Sequence, residues 1–353
     1  MSKPSSTTST MIDSLTSIWE HVLQRRPIGT EDNFFDLGGD PAAANQLFIE
    51  IARKCGRELL PLTIYQAPTI AELAAVLEEP AMPLFPALVR LRAGIDEPAI
   101  FMAHGIDGDV TDFFQLVKQI RSPHSIYAMQ AKGADGVSTP LERVEEMARF
   151  YVEAIRRIQP HGPYVVIGYS FGGLVALEVA RGLQKAGEEV ALLAMLETYP
   201  HARQLPRRER VHLLLRRVWW HVSTLRRLRF GEALSYIFRR SERRSHFTGR
   251  RGVSETRMPP REIPKNNSMQ RLRDCNYRAW EQYNPQFYDG RIRFLKSEVS
   301  SYFPKNPERI WTHLTDKFEL EIVPGDHIGI VTTHAMPAAD VLSRYLEEVW
   351  PAD

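Results

Sequence analysis

The stretch "VVIGYSFGGLVALEVA" carries the sharpest chemical signal in the sequence. Ser170 stands in Gly168-Tyr169-Ser170-Phe171-Gly172, between an apolar run of strand length and an amphipathic helical stretch. In that context G-x-S-x-G is a nucleophile elbow: the glycines let strand and helix pack closely around a tight turn, and the serine is left at the strand's end. A serine hydroxyl needs a base. His327, in "VPGDHIGIV", follows the last strand-like run on a glycine-containing loop, which gives the chain order serine, acid, histidine. Two carboxylates compete for the acid. Glu197 closes "LLAMLET", the strand-like run after the elbow helix, and Glu298 lies just beyond "RIRFL". Glu197 is favoured, with Glu298 as the alternative. The acid's task is to hold the imidazole tautomer and stabilise the imidazolium. The expected oxyanion donors are the backbone N–H of Phe171, next to the nucleophile, and that of Ile106 in "HGIDGD", where Gly105 and Gly108 permit close backbone approach.

A second stretch, "DNFFDLGGDPAAANQLF" from Asp32 to Phe48, is chemically silent where it should not be. It reads like the phosphopantetheine attachment site of a carrier protein, "DxFFxLGGDS", but Pro41 occupies the position of the attachment serine. No serine occurs between Asp32 and Pro61, so no shifted site replaces it. Proline suits the fold nonetheless. Asp40 is a natural N-cap, and Pro41 at the first helical position loses only an N–H that would be unpaired anyway.

The elements that must position these residues divide the chain. Residues 1–10 read as a disordered tail. Residues 11–79 read as a small all-α unit, with helices in "MIDSLTSIWEHVL", "AAANQLFIEIARKCG" and "TIAELAAVLEE". A proline-stiffened linker follows over 80–88. From residue 89 to 353 strands and helices alternate. The strands are "LVRLR", "AIFMAH", "SIYAMQA", "YVVIGY", "VALLAML", "RIRFL" and "FELEIV", the pattern of a mostly parallel α/β sheet. Between about residues 200 and 288 the alternation stops, and a helical, basic, aromatic insertion takes its place.

The 353 residues carry a formal net charge of +2, unevenly spread. His201 to Arg261 hold 17 arginines, no lysine and 4 glutamates, net +13, whereas Met11 to Glu79 are net −6. Within the insertion, "RVHLLLRRVWWHVSTLRRL" sets an apolar, tryptophan-bearing face against an arginine face. Three readings stand for it: a solvated surface, a dock for an acidic carrier domain, or a membrane-surface helix. Nucleic acid is set aside, because no stacking platform or reading motif accompanies the charge. The two cysteines, Cys55 and Cys275, have no metal or redox spacing, and no metal site is expected. With no signal-like or spanning apolar segment, a cytoplasmic protein with reduced thiols is expected.

Taken together, "FFDLGGD", "TIYQAPTIAELA", "HGIDGD", "GYSFGGLVALEVA", "LLAMLET" and "VPGDH" resemble a carrier domain followed by a type I thioesterase of nonribosomal peptide and polyketide assembly lines. The resemblance covers nearly the whole chain. It implies an α/β-hydrolase fold with a lid over about 200–288, and release of an acyl or peptidyl chain from a carrier's pantetheine through an ester on Ser170. Hydrolysis, cyclisation and transfer are all compatible with it. Family members place an aspartate where Glu197 stands. The partner implied is an acyl- or peptidyl-carrier protein in trans, itself bearing the 4′-phosphopantetheine, with the front domain carrying no cofactor. The opposing reading is a non-catalytic docking or scaffold protein in which both domains have degenerated.

Overall fold

The computed structural model describes residues 6–57, 59, 63–78, 86–135, 138–212, 215, 267–299 and 303–351. Four helices form the front domain: α1 (Ser6–Leu23), α2 (Pro41–Cys55), α3 (Thr63–Gln66) and α4 (Ile70–Glu78). Their shared core holds Leu15, Ile18 and Trp19 of α1, Leu47, Phe48 and Ile51 of α2, Ile64 of α3, and Leu73 and Leu77 of α4. Phe34 is the centre of the connecting loop, its ring edge-on to Trp19 at 5.1 Å. Gly39 is required there, because a Cβ would lie 2.3 Å from the Phe34 ring. Asp40 caps α2, accepting from the Ala43 N–H at 2.7 Å, and Pro41 begins the helix. Thr69 and Glu72 form a reciprocal capping box at the start of α4. The backbone of α1 starts at Ser6, inside the tail expected over 1–10. Serine and threonine cost only a few tenths of a kcal/mol per residue in a helix. A helix anchored by Leu15, Ile18 and Trp19 therefore propagates through them.

The second domain is built on seven strands: β1 (Leu88–Arg92), β2 (Ile95–Ala103), β3 (His124–Met129), β4 (Tyr164–Tyr169), β5 (Val190–Leu196), β6 (Arg291–Ser297) and β7 (Lys317–Val323). Their order in the sheet is β1-β3-β2-β4-β5-β6-β7, with β1 antiparallel to β3 and every other pair parallel. β1 begins one residue inside the expected linker. Every residue of β4 is buried, as a central parallel strand covered on both faces demands. One face packs α6 (Val144–Ile158) and α7 (Phe171–Lys185), and the other packs α5 (Phe114–Gln119) and the C-terminal α10 (Ala335–Val349). Of the insertion, residues 207–212 are helical, and α8 (Asn267–Gln282) packs its Tyr277, Ala279 and Trp280 into the α6/α7 face. The short α9 (Glu308–Trp311) precedes β7.

The front domain meets the hydrolase at the sheet's edge. Val89 of β1 belongs to the front domain's core, Leu91 and Phe114 pack against it, and the rings of Phe35 and Phe114 lie 5.2 Å apart. The arginine face of the insertion, one reading of which is a dock for an acidic carrier domain, lies mostly outside the described residues. Among those residues no helix is long and apolar enough to cross a membrane.

Candidate active site

β4 delivers the serine. Its last residue, Tyr169, leads directly into Ser170, held at φ 55°, ψ −119°, and α7 starts at Phe171. A Cβ on Gly172 would lie 2.2 Å from the carbonyl oxygen of His104, so only glycine lets α7 approach β2 here. The Ser170 N–H donates to Leu196 O at 2.8 Å, which ties the elbow to β5. Such left-handed backbone at a non-glycine residue costs on the order of 1–3 kcal/mol and persists only where its surroundings enforce it.

His327 stands on the loop after β7. The Tyr169 hydroxyl donates to its carbonyl oxygen at 2.8 Å, so the residue before the serine also fixes the histidine loop. His327 Nε2 lies 3.0 Å from Ser170 Oγ, and Nδ1 lies 3.3 Å from Glu197 Oε2. The other carboxylate oxygen of Glu197 accepts from the Ser297 N–H at 2.6 Å. Glu197 is itself left-handed, at φ 48°. All three side chains are buried. Glu298 is exposed, and its backbone N–H bonds Val323 O, so the structure joins Glu197, not Glu298, to the histidine.

Ser170, Phe171 and Ile106 line one opening, with Tyr199, Tyr277, Trp280 and Phe303 as its aromatic walls. Its empty volume is about 260 Å³, including space open to solvent. Among the described residues neither the Phe171 N–H nor the Ile106 N–H has a hydrogen-bond acceptor. Phe303 also flanks the base, its ring 4.9 Å from that of His327. Among the described residues no cluster of histidine, cysteine or carboxylate side chains could hold a metal ion.

Some contributors have no sequence signature. Ser297 acts through its backbone N–H, which any residue but proline supplies. Asn276 of α8 donates from Nδ2 to Ile106 O at 2.9 Å, from a helix 170 positions away in sequence. His104 is fully buried, with Nδ1 2.7 Å from Gly105 O and Nε2 3.0 Å from the Tyr151 hydroxyl. Burial pushes its imidazole down to about 4, so it is neutral at pH 7.

A serine elbow on a seven-stranded, mostly parallel sheet, with a histidine after the last strand, defines an α/β-hydrolase. The thioesterase domain model matches residues 98–345, and the chain belongs to that family. A model of the phosphopantetheine attachment site matches residues 13–77. Malpibaldin synthetase of Mortierella alpina is 37% identical over 191 residues, 52% of this chain and 3% of that protein. The dimodular nonribosomal peptide synthase of Bacillus subtilis (strain 168) is 37% identical over 188 residues, 53% of this chain and 8% of that protein. The chain thus spans only a few per cent of the length of these relatives. Among solved structures, a four-domain nonribosomal peptide synthetase in its holo form, bound to AMP and glycine, matches with TM-score 0.56 and 21% identity. That match covers 97% of this chain and 26% of the synthetase, and at this identity it speaks for the fold of both domains.

Proposed function

We propose that this chain is a serine thioesterase of a biosynthetic assembly line, taking an acyl or peptidyl chain from a carrier's phosphopantetheine through an ester on Ser170. The observation that carries the reading is the hydrogen-bonded run Ser170 Oγ, His327 Nε2, His327 Nδ1, Glu197 Oε2, with the serine on a strained elbow. Ser170 Oγ attacks the thioester carbonyl while His327 Nε2 takes its proton. Charge gathers on the carbonyl oxygen, where the N–H groups of Phe171 and Ile106 receive it. The C–S bond then breaks and the imidazolium returns the proton to the departing thiolate sulfur. A thiol of ordinary pKa near 8.5 is a good leaving group, so this step needs little assistance. His327 next deprotonates water, or an amine or hydroxyl of the chain, and the ester is resolved. Glu197 keeps the proton on Nδ1 throughout, leaving Nε2 free to act as base.

The front domain has the form of a carrier without the hydroxyl to be loaded, so in this reading the substrate arrives on a different carrier domain. Intact-mass spectrometry tests the function directly. A fluorophosphonate should add one adduct at Ser170, an acyl-pantetheine thioester should be turned over, and Ser170→Ala should abolish both. An alanine variant that hydrolyses the thioester at near wild-type rate would refute the assignment.

A further inference from the structure

The two oxyanion N–H groups are not held alike. That of Phe171 is fixed by α7, whose first residue it is. That of Ile106 is on the loop between β2 and α5, and a loop peptide must be aimed by its neighbours. We infer that Asn276 of α8 is a positioning residue for catalysis: it fixes the Ile106 peptide so that its N–H faces the oxygen of the substrate's carbonyl. This rests on the serine-thioesterase reading above.

The Gly105–Ile106 peptide carries the Ile106 N–H on one edge and Gly105 O on the other, opposed because the peptide is planar and trans. Gly105 O accepts from the Gly108 N–H at 3.1 Å, and His104 Nδ1 lies 2.7 Å from it. A carbonyl only accepts, so His104 carries its proton on Nδ1. Holding Gly105 O on one side leaves the Ile106 N–H on the opposite edge of the peptide, and Ile106 lines the same opening as Ser170. The next peptide is held from the opposite direction by Asn276, whose Nδ2 donates to Ile106 O. One turn earlier on α8, Arg273 Nε pairs with Asp107 Oδ1 at 3.1 Å, and the Arg273 side chain is buried. Gly108, at φ 77°, lies so close to Leu272 that a Cβ would come within 2.7 Å of it. Three neighbouring residues of the loop are thus fastened to one face of a single helix.

Asn276 is costly as a purely structural residue. It is completely buried, and its Oδ1 has no hydrogen-bond partner among the described residues. A leucine of similar volume would remove the unpartnered Oδ1 and leave only the Ile106 carbonyl without its donor. An amide kept in place with half its capacity unmet is best explained by the one contact it makes, which is to the oxyanion loop.

The test uses the full chain, an acyl-pantetheine thioester and a fluorophosphonate. Asn276→Leu removes the donor together with the unpartnered acceptor, and Asn276→Ala removes the donor with least steric demand. Asn276→Leu should melt near the wild type, and Asn276→Ala a few degrees lower because of the cavity it leaves. KM should stay within about threefold, while kcat falls by about ten- to a hundredfold, part of what losing an oxyanion donor outright costs. Labelling of Ser170 by the fluorophosphonate should slow by a similar factor. Wild-type kcat in either folded variant overturns the inference and leaves the thioesterase reading intact. So does a loss expressed only as lower melting temperature or higher KM. Wild-type protein that neither labels at Ser170 nor turns over the thioester removes both.

Discussion

Replacing Glu197 by glutamine changes one atom, and the structure dictates how that atom will face. One carboxylate oxygen accepts from the Ser297 N–H at 2.6 Å, the other lies 3.3 Å from His327 Nδ1. The Ser297 N–H is a backbone donor that cannot turn away, so the amide of Gln must present its oxygen there. Its NH2 group is then directed at His327 Nδ1. Two donors cannot share that contact, so Nδ1 gives up its proton and becomes the acceptor, and the proton moves to Nε2. Nε2 faces Ser170 Oγ at 3.0 Å, and a protonated Nε2 cannot receive the serine's proton. The shape of the site survives while the base is blocked. Wrong-tautomer variants of this kind lose about 10⁴-fold in kcat. Glu197→Asp is a different perturbation: it keeps the charge but withdraws it by about one C–C bond, ~1.5 Å. Losing a hydrogen bond to a charged group costs about 1.5–3 kcal/mol, or about 10- to 150-fold in rate. Steady-state hydrolysis of an acyl-pantetheine thioester should therefore rank wild type above Glu197→Asp, and Glu197→Asp above Glu197→Gln, with Glu298→Gln at wild-type rate. Glu197→Gln within tenfold of wild type, or a large loss in Glu298→Gln, would refute the reasoning.

Three further outcomes are expected. Incubation with coenzyme A and a broad-specificity phosphopantetheinyl transferase should add no mass to the chain, and a gain of one phosphopantetheine would show a loading site other than position 41. His104 should make the fold acid-sensitive: its pKa falls from 6.5 to about 4 on burial, so the unfolded chain binds a proton that the folded one refuses. Stability is complete above pH 6.5 and is lost as pH falls towards 4, by roughly 3 kcal/mol from this group, and the acid limb of a melting-temperature profile should flatten in His104→Asn. Finally, Phe35→Asp should loosen the apolar contact with Phe114 and raise the radius of gyration in X-ray scattering. The wild-type radius should not change between 0.1 and 1 M salt, since apolar contacts are not screened, and a radius that grows with salt would place the dock on charge.

The central strands were legible because buried parallel strands are written as short apolar runs between glycines, prolines and polar residues, whereas β1 and β7, at the sheet's edges, mix apolar with charged residues. Where a boundary moved, a local reason is visible. β2 extends back to Ile95, past Pro98, although proline donates nothing to a ladder. It does so where its register with β3 shifts, between Ile95 and Ile100. The start of α1 at Ser6 reflects the same limit at a helix end, where propensity is too weak to mark a stop. Around the serine, the elbow and the histidine loop could be read because each depends on side-chain type at fixed spacing. The Ser297 N–H could not, because a backbone donor leaves no trace in the sequence. Asn276 could not either: its partner is a carbonyl 170 residues away, and among the arginines and aromatics of the insertion nothing distinguishes it.

The pair Phe34-Phe35 shows what the front domain has kept. Phe34 is completely buried against Trp19 and forces a glycine at position 39, so it holds the domain together. Phe35, partly buried at the edge of the same core, meets Phe114, at the head of the helix that follows the Ile106 loop. One residue therefore closes the small core and its neighbour fastens that core to the hydrolase. With Val89 buried at the same contact, the domain also covers the edge strand β1, which would otherwise present apolar surface to solvent. A carrier that must bring a loaded arm to a catalytic serine has to leave such a dock on every cycle, and each apolar contact made there slows it. On the reading proposed above, a carrier-shaped domain with proline at the loading position has no arm to deliver and no reason to leave. The residues that build the domain, Phe34, Gly39, the Asp40 cap and the Thr69–Glu72 box, are in place, and the one position that would give it chemistry is not. In that reading the missing hydroxyl and the apolar contact agree: a domain seated on the hydrolase through Phe35, Phe114 and Val89 suits a docked unit better than a shuttling one.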